Sequence, residues 1–247
     1  MKNTEELIRD RVQILTADTP AQAVSKRVLI LSTARTGSTL FCDVLANTGL
    51  CGRPEEWFKE QFFNAYKDFT GSENLSFSAY VGLLMSKTSS ENGVFCVNAH
   101  IGTLMDWQKR GVNIMDFGFD HVFYLSRKNK VEQAVSYAKA VLDDQWVEKS
   151  AARKTEQVVG YAEIAQALAI LLQMQDIYQK KLSHLVDDEY FYEDFFSIEK
   201  SLVFKKFFRK LGIDDSGLKF HSNIKKQAGI ESKRAAVKFL RYISSSV

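Results

Sequence analysis

Proline is nearly absent from this chain, whose 247 residues include only 2 prolines and 13 glycines. So little of either residue excludes collagen-like and low-complexity proteins. The hydrophobic content of 45% is enough to bury a sizeable core. Because the sequence also shows no internal repeat and no long linker, we expect one folded domain over residues 1–247.

Cysteine and long apolar runs are also scarce. Cys42, Cys51 and Cys96 have neither CxxC nor Cys/His spacing, which argues against a disulfide framework and a zinc site. No carboxylate pair or histidine cluster has metal spacing, so we predict no required metal. The apolar core of a signal peptide and the run of about 18 apolar residues that a membrane span needs are missing too. We therefore expect a cytoplasmic protein without a transmembrane segment.

The net charge of +3 is unevenly distributed along the chain. From Lys200 onward there are 12 lysine and arginine residues against 3 acidic ones, whereas the preceding part is acidic. A basic C-terminal region of this kind indicates a polyanion surface, a pocket for a phosphate-rich ligand, or simply a solvated helix face.

Short apolar runs rich in β-branched and aromatic residues predict four buried strands: Val28–Leu31, Gly93–Val97, His121–Leu125 and Glu189–Tyr192. Apolar residues at helical spacing follow the strands. They predict a helix that ends at Gly49 after the first strand, and a long helix over Val158–Leu182. A further helix is expected between Ser197 as N-cap and Gly212 as C′ residue. The alternation predicts an α/β fold: a P-loop-like parallel sheet flanked by helices, with a helical elaboration in the C-terminal half.

The loop after the first strand carries the strongest chemical signal, the sequence Arg35-Thr36-Gly37-Ser38-Thr39. Helix N-termini bind anions through unpaired amides; a glycine lets backbone approach a phosphate, and an arginine adds a forked cation. Against the Walker A pattern, Ser38 occupies the place of the lysine, which argues against an ordinary ATP or GTP hydrolase. The structural alternative is that Ser38 or Thr39 merely caps the helix.

Four motifs in order resemble those of the bacterial trehalose sulfotransferase family. They are Leu31 to Leu40, Gly52 to Phe58, Arg127 with Gln133 to Ser136, and Trp146, with weaker similarity at Tyr190 to Phe195 and Lys226 to Ala228. The resemblance implies a single sulfotransferase domain that uses 3′-phosphoadenosine-5′-phosphosulfate (PAPS) as the sulfuryl donor to a sugar hydroxyl.

The resemblance also implies roles for individual residues. Arg35, Thr36, Gly37, Ser38 and Thr39 would hold the 5′-phosphosulfate, and Arg127 and Ser136 the 3′-phosphate. Glu56 matches the family's catalytic glutamate, so Glu56 and Arg35 are the expected catalytic residues. We expect Trp57 and Phe58 to desolvate Glu56, raise its pKa toward that of a working base, and offer apolar surface to a sugar.

Other residues keep alternatives open. His100, near a strand end, is a rival base because an ordinary histidine titrates near neutrality. Arg53 stands where trehalose-sulfating relatives carry glutamate, which points to an anionic acceptor in place of trehalose. Asn98 replaces a lysine common in the family, and Gly229 replaces an acidic residue.

The expected partner is a sugar or glycolipid acceptor, with no nucleic acid, and the resemblance suggests a homodimer. Two other functions remain possible from the residues alone. One is a nucleotide-dependent kinase that uses the same loop. The other is a catalytically silent protein whose basic C-terminal region docks polyanions, with binding that weakens steeply as salt rises.

Overall fold

The computed structural model describes residues 4–143, 159–196, 200–224 and 230–245. Within these ranges the chain forms four β-strands and nine α-helices. The strands are β1 (Lys26–Ser32), β2 (Val94–His100), β3 (His121–Ser126) and β4 (Asp188–Phe191). The helices are α1 (Thr4–Thr16), α2 (Ser38–Asn47), α3 (Glu60–Thr70), α4 (Phe77–Thr88), α5 (Ile101–Lys109), α6 (Lys130–Asp143), α7 (Tyr161–Ile177), α8 (Lys200–Lys210) and α9 (Ile230–Ser245).

The strands form a parallel sheet in the order β2-β1-β3-β4. Ser32 at the end of β1 lies opposite His100 of β2 and Leu125 of β3, and Ser126 of β3 lies opposite Phe191 of β4. The carboxyl ends of all four strands therefore meet at one edge, where open α/β sheets bind ligands. The predicted α/β fold with a parallel sheet flanked by helices is confirmed.

The two faces of the sheet bury different sets of side chains because alternate residues of a strand point to opposite sides. On one face, Leu29 and Leu31 of β1 belong to a core that includes residues of α1, α3, α4 and α5. On the other face, Val28 and Ile30 belong to a core with Phe41 of α2 and the phenylalanines of α8. Helix α2, which begins after the loop that follows β1, thus packs on an aromatic core.

The C-terminal helical elaboration packs beside the sheet. Helices α6, α7 and α9 share a third core built around Ala134, Ile164 and Phe239. None of the helices in the described part of the chain combines the length and the apolar composition needed to cross a membrane.

Several predicted boundaries differ from the observed ones by a few residues. Strand β2 runs three residues beyond Val97 to His100, and β4 ends at Phe191. The long helix ends at Ile177 and continues as a π-helical turn to Leu182, while its predicted start at Val158 lies outside the described residues. Ser197 also lies outside them. Gly49 and Gly212 follow α2 and α8 with positive φ, as predicted.

The aromatic core beneath α2 provides a test of what holds that helix. Phe41 is fully buried, and among the described residues four aromatic ring centroids lie 5.0–5.8 Å from its own. We expect Phe41→Ala to lower the free energy of unfolding by about 3–5 kcal/mol, measured by urea denaturation. Phe69→Ala is the matched control, because Phe69 is 68% exposed and its loss should cost less than about 0.5 kcal/mol. Equal effects of the two changes would contradict this account.

Candidate active site

The loop between β1 and α2 is built to present its backbone amides. Arg35 has a φ of 63°, and the Thr36 hydroxyl donates a hydrogen bond of 3.0 Å to the Thr33 carbonyl. Gly37 is the N-cap of α2, with a φ of 81° and no side-chain cap. The interpretation of Ser38 or Thr39 as a helix cap is therefore wrong. The unpaired amides of the first turn of α2 stay available to an anion.

Gly37 is required for a second reason besides its backbone conformation. A Cβ atom at this position would overlap the ring of Tyr192, the residue that follows β4. The loop after β1 and the end of β4 thus approach each other across the carboxyl edge of the sheet. Only glycine meets both the positive φ and the close contact.

Three polar residues that sequence spacing left apart come together beside this loop. Arg35 Nε donates a hydrogen bond of 3.0 Å to Ser136 Oγ in α6. Burial and the nearby Arg127 guanidinium lower the pKa of Arg35 to about 10. The Arg127 guanidinium also lies over the Tyr192 ring, 4.4 Å from its centroid. Two cations and a hydroxyl therefore converge, which is an arrangement that attracts an anion.

Arg127 is held rigidly although it carries a charge in the interior. Its side chain is only 4% exposed, and Nη2 lies 3.1 Å from Glu132 Oε2. Glu193 Oε1 lies farther away, 3.9 Å from Arg127 Nε. That Nε atom has no hydrogen-bond partner in the described part of the chain. The guanidinium is thus fixed in direction, with its buried Nε–H directed at no acceptor within hydrogen-bond distance in that part of the chain.

Gln133 supports the loop after β1 from α6, a role that the sequence did not reveal. Its Nε2 donates hydrogen bonds to Thr33 Oγ1 at 3.0 Å and to the Ala34 carbonyl at 2.7 Å. Gln133 is fully buried, and its Oε1 has no partner among the described residues. The signal was present in the sequence, since Gln133 stands three residues before Ser136 in the same motif.

The segment that carries Glu56 is fastened to the outer edge of the sheet. Asn98 of β2 donates its backbone N–H to the Glu55 carbonyl at 3.1 Å, and its side chain accepts a hydrogen bond from Ser32 Oγ at 3.0 Å. The Trp57 indole donates to the Arg53 carbonyl at 2.8 Å. Asn98, predicted as a missing positive charge, therefore connects the end of β1 to the Glu56 segment. Arg53 itself is exposed.

Glu56 is ionised over the whole physiological range of pH. Burial alone would raise its pKa, but the charges of His100 and Lys59, a hydrogen bond from Lys59 and the charge of Arg11 together lower the pKa to about 2. Glu56 Oε1 lies 3.5 Å from His100 Nε2, and Oε2 forms an ion pair with Lys59. Lys59, three residues after Glu56, is a site residue that sequence analysis missed.

Two expectations for the Glu56 segment are wrong: that its aromatic neighbours offer apolar surface to a sugar, and that the pKa of Glu56 is raised. Trp57 and Phe58 are fully buried in the core beneath the sheet face covered by α3, α4 and α5, so neither offers apolar surface to a sugar. Their burial does not leave Glu56 with a raised pKa, because Lys59 and His100 supply opposing charge at the carboxylate.

His100, the rival base, ends β2 opposite Ser32 at the end of β1. Burial lowers its pKa, the Glu56 carboxylate raises it, and the charges of Lys59 and Arg35 lower it further, so that His100 is neutral at pH 7. Because Ser32 leads into the loop after β1 and His100 contacts Glu56, the loop and the Glu56 segment lie at the same edge of the sheet.

Two buried polar atoms at this edge, Arg127 Nε and Gln133 Oε1, have no hydrogen-bond partner in the described ranges. Unpaired buried polar groups are rare because each costs free energy. Their grouping at the carboxyl edge indicates a site shaped for a polar ligand. No group of three potential metal ligands is found in the described ranges.

A polar groove of about 550 Å³ lies between α3 and α5. Its lining residues are Lys59, Glu60, Gln61, Asn64, Thr103, Asp106, Trp107 and Arg110. Arg110 Nη2 lies 2.6 Å from Glu60 Oε2 across the groove. Lys59 connects the groove to the Glu56 carboxylate, and Thr103 connects it to the first turn of the helix that follows His100.

Cations and a glutamate thus lie at one sheet edge, around a strand, a loop and the start of a helix. The sequence model of the Stf0 sulphotransferase family matches residues 27–241. The chain belongs to this family of sulfotransferases, which confirms the family predicted from its motifs. Some residues used in the family resemblance lie outside the described ranges. They are Trp146, Lys226 to Ala228 and Gly229.

Two solved structures are similar to this chain. The sulfotransferase domain from the Synechococcus PCC 7002 olefin synthase is 14% identical, with a TM-score of 0.46, and the match covers 91% of this chain and 97% of that one. The sulfotransferase domain from the curacin biosynthetic pathway is 15% identical, with a TM-score of 0.44, covering 88% and 83%. Curated proteins give no match. The family assignment rests on the sequence match.

Proposed function

We propose that this sulfotransferase moves a sulfuryl group from PAPS to a hydroxyl of a carbohydrate or glycoconjugate. The observation that carries the proposal is the convergence of Arg35, Arg127 and Ser136 with the ionised Glu56 at one sheet edge. The donor supplies an activated sulfuryl group attached to a phosphate. The protein's task is then to neutralise the phosphate and to receive the proton of the acceptor hydroxyl.

Arg35 and the amides of Gly37, Ser38 and Thr39 neutralise the phosphosulfate in this proposal, while Arg127 and Ser136 hold the 3′-phosphate. The lowered pKa of Arg35 supports it, because burial and a second guanidinium disfavour its charge and an anion between the two arginines would relieve both effects. Thr36 contributes its backbone, since its hydroxyl is engaged by the Thr33 carbonyl. These cations supply the charge that many phosphoryl-transfer enzymes take from a metal, so we propose no metal requirement.

Glu56 takes the proton of the acceptor hydroxyl as the new O–S bond forms and the bond to the phosphate breaks. A carboxylate with a pKa of about 2 is a weak base. Such a base is adequate if the transition state is loose, because the hydroxyl then keeps its proton until late in the reaction. His100 Nε2, 3.5 Å from Glu56 Oε1 and neutral at pH 7, is the next group able to hold that proton.

The groove between α3 and α5 supports a carbohydrate acceptor. Its walls carry two carboxylates, Glu60 and Asp106, and two cations, Lys59 and Arg110, together with side-chain amides. Charges that balance in this way suit a neutral, hydroxyl-rich ligand, which accepts and donates hydrogen bonds in equal measure. The exposed Arg53 remains the residue suited to an anionic group on a glycolipid acceptor.

Two further properties belong to the same proposal. All three cysteines are buried free thiols, which suits the reducing cytoplasm. A homodimer, implied only by the family resemblance, stays a prediction.

The donor site is tested by calorimetric titration with 3′-phosphoadenosine-5′-phosphate, the spent donor, beside 5′-AMP and ATP with Mg²⁺. We expect the bisphosphate to bind at least tenfold more tightly than 5′-AMP, a difference of about 1.4 kcal/mol. A preference for ATP with Mg²⁺ would favour the kinase hypothesis. Failure to bind any of the three nucleotides would overturn the proposed donor site.

A further inference from the structure

Arg11 lies in α1, which precedes the residues 27–241 matched by the family model. Its side chain is 13% exposed, and its Nη2 lies 2.7 Å from Glu55 Oε2. The guanidinium also lies over the Phe62 ring at 4.0 Å and over the Trp57 ring at 5.3 Å from the centroids. One arginine outside the matched residues therefore contacts the chain on both sides of Glu56.

These contacts bear on the carboxylate as well as on the backbone. The Arg11 charge is one of those that lower the pKa of Glu56. Arg11 also pairs with Glu55, whose carboxylate would otherwise add uncompensated negative charge next to Glu56. A partly buried guanidinium with a carboxylate at its edge and rings at its faces has little freedom to move.

Helix α1, which carries Arg11, is itself held in place by its neighbours. Leu15 of α1 is buried in the core of the sheet face that Trp57 and Phe58 share. Just beyond α1, the Ala17 carbonyl accepts a hydrogen bond of 3.0 Å from Lys87 Nζ of α4. The position of Arg11 is therefore set by the core and not by the ion pair alone.

We propose that Arg11 is a positioning residue that fixes the Glu55 to Trp57 segment so that the Glu56 carboxylate faces the acceptor hydroxyl. The proposal rests on the proposed role of Glu56 as the base. The Asn98 and Trp57 hydrogen bonds hold the backbone of the segment without Arg11. Loss of Arg11 thus misdirects the carboxylate while the segment stays folded.

The test compares Arg11→Gln, Arg11→Lys and Glu55→Gln with Arg9→Gln, an exposed arginine on the same helix, as the matched control. Transfer is followed as release of 3′-phosphoadenosine-5′-phosphate from PAPS, which counts every acceptor, water included. For Arg11→Gln we expect kcat to fall about tenfold to a hundredfold, since a small misplacement of a reacting group has effects of this size. The KM for PAPS should stay unchanged, because Arg11 is not among the donor-site residues.

Two further comparisons separate positioning from simple loss of stability. Arg11→Lys keeps the charge and should restore part of the rate, whereas Glu55→Gln breaks the same ion pair from its other end. The effects of Arg11→Gln and Glu55→Gln should therefore be strongly non-additive in the double variant. The His100 titration, followed by NMR and assigned with His100→Gln, should move to lower pH in Arg11→Gln as the Glu56 carboxylate turns away.

The outcomes are distinguishable. A lower melting temperature for Arg11→Gln with unchanged kcat and unchanged His100 titration would overturn the positioning role. If Glu56→Gln itself left product release unchanged, the role of Glu56 would fail, and the positioning role would fail with it. If Glu56→Gln abolished release and the Arg11 and Glu55 variants did not affect it, only the inference about Arg11 would be wrong.

Discussion

Glu56→Gln is expected to lower the rate of sulfuryl transfer by about 100-fold to 10,000-fold, the range that general bases supply. The amide keeps the size of the side chain and its place beside Lys59 and His100, but it has no basic oxygen to take the proton. Binding of 3′-phosphoadenosine-5′-phosphate should stay within about twofold of wild type, because the donor residues follow β1 and β3. The measurement is release of that bisphosphate from PAPS, together with its calorimetric affinity.

Two controls define what this result means. Glu73→Gln removes an exposed carboxylate elsewhere on the surface and should leave the rate unchanged. His100→Gln tests the rival base, and it should cost less than Glu56→Gln if His100 only receives the proton second. Near wild-type turnover in Glu56→Gln would remove Glu56 from the reaction.

The low pKa of Glu56 changes how the pH dependence of transfer should be understood. With its pKa at about 2, Glu56 loses its charge only under strongly acidic conditions. A fall in rate between pH 7 and pH 5 would therefore report another group. His100 is the candidate, since its protonation would add a third positive charge to those of Lys59 and Arg35. The site combines a permanently ionised carboxylate with a neutral imidazole, two groups whose pKa values are separated by their surroundings.

The fold was predictable because its signals are local. Buried strands, the loop at Arg35 and the glycines that end helices each follow from the order of neighbouring residues. The burial of Trp57 was not predictable, because it depends on packing against α4 and α5, which are distant in sequence. A tryptophan beside a functional glutamate has the same local signature whether it faces a ligand or the core.

The spacing of residues along the sequence likewise could not predict which site residues come together. Arg35 and Ser136 are 101 positions apart and meet only because β1 lies beside β3 in the sheet, which brings α6 over the loop. Tyr192 joins them because β4 lies on the other side of β3. The order of strands in the sheet sets these contacts. That order, β2-β1-β3-β4, differs from the order along the chain and cannot be derived from one sequence. The family resemblance pointed to Ser136 and Arg127 without it, and the structure places both near Arg35.

Arg127→Ala should remove the discrimination between 3′-phosphoadenosine-5′-phosphate and 5′-AMP. A charge-assisted hydrogen bond contributes about 1.5–3 kcal/mol, so we expect the affinity for the bisphosphate to fall by at least about tenfold while that for 5′-AMP changes little. Glu132 and Glu193, left without their cation, add repulsion toward the same phosphate.

The control for Arg127 is its neighbour Lys128, which is 54% exposed and pairs with Asp194 at the surface. Lys128→Ala removes the same charge one residue away and should leave discrimination intact, because a solvated lysine is screened and not directed by buried partners.

Removing one partner of a buried ion pair costs about 3–5 kcal/mol of stability, so Arg127→Lys is the variant to use if Arg127→Ala unfolds. A lysine keeps the charge without the fork, and it should retain affinity for phosphate but lose part of the preference. Unchanged discrimination in a folded Arg127 variant would place the 3′-phosphate elsewhere. That result would leave Arg35, Ser136 and the amides of α2 as the anion site.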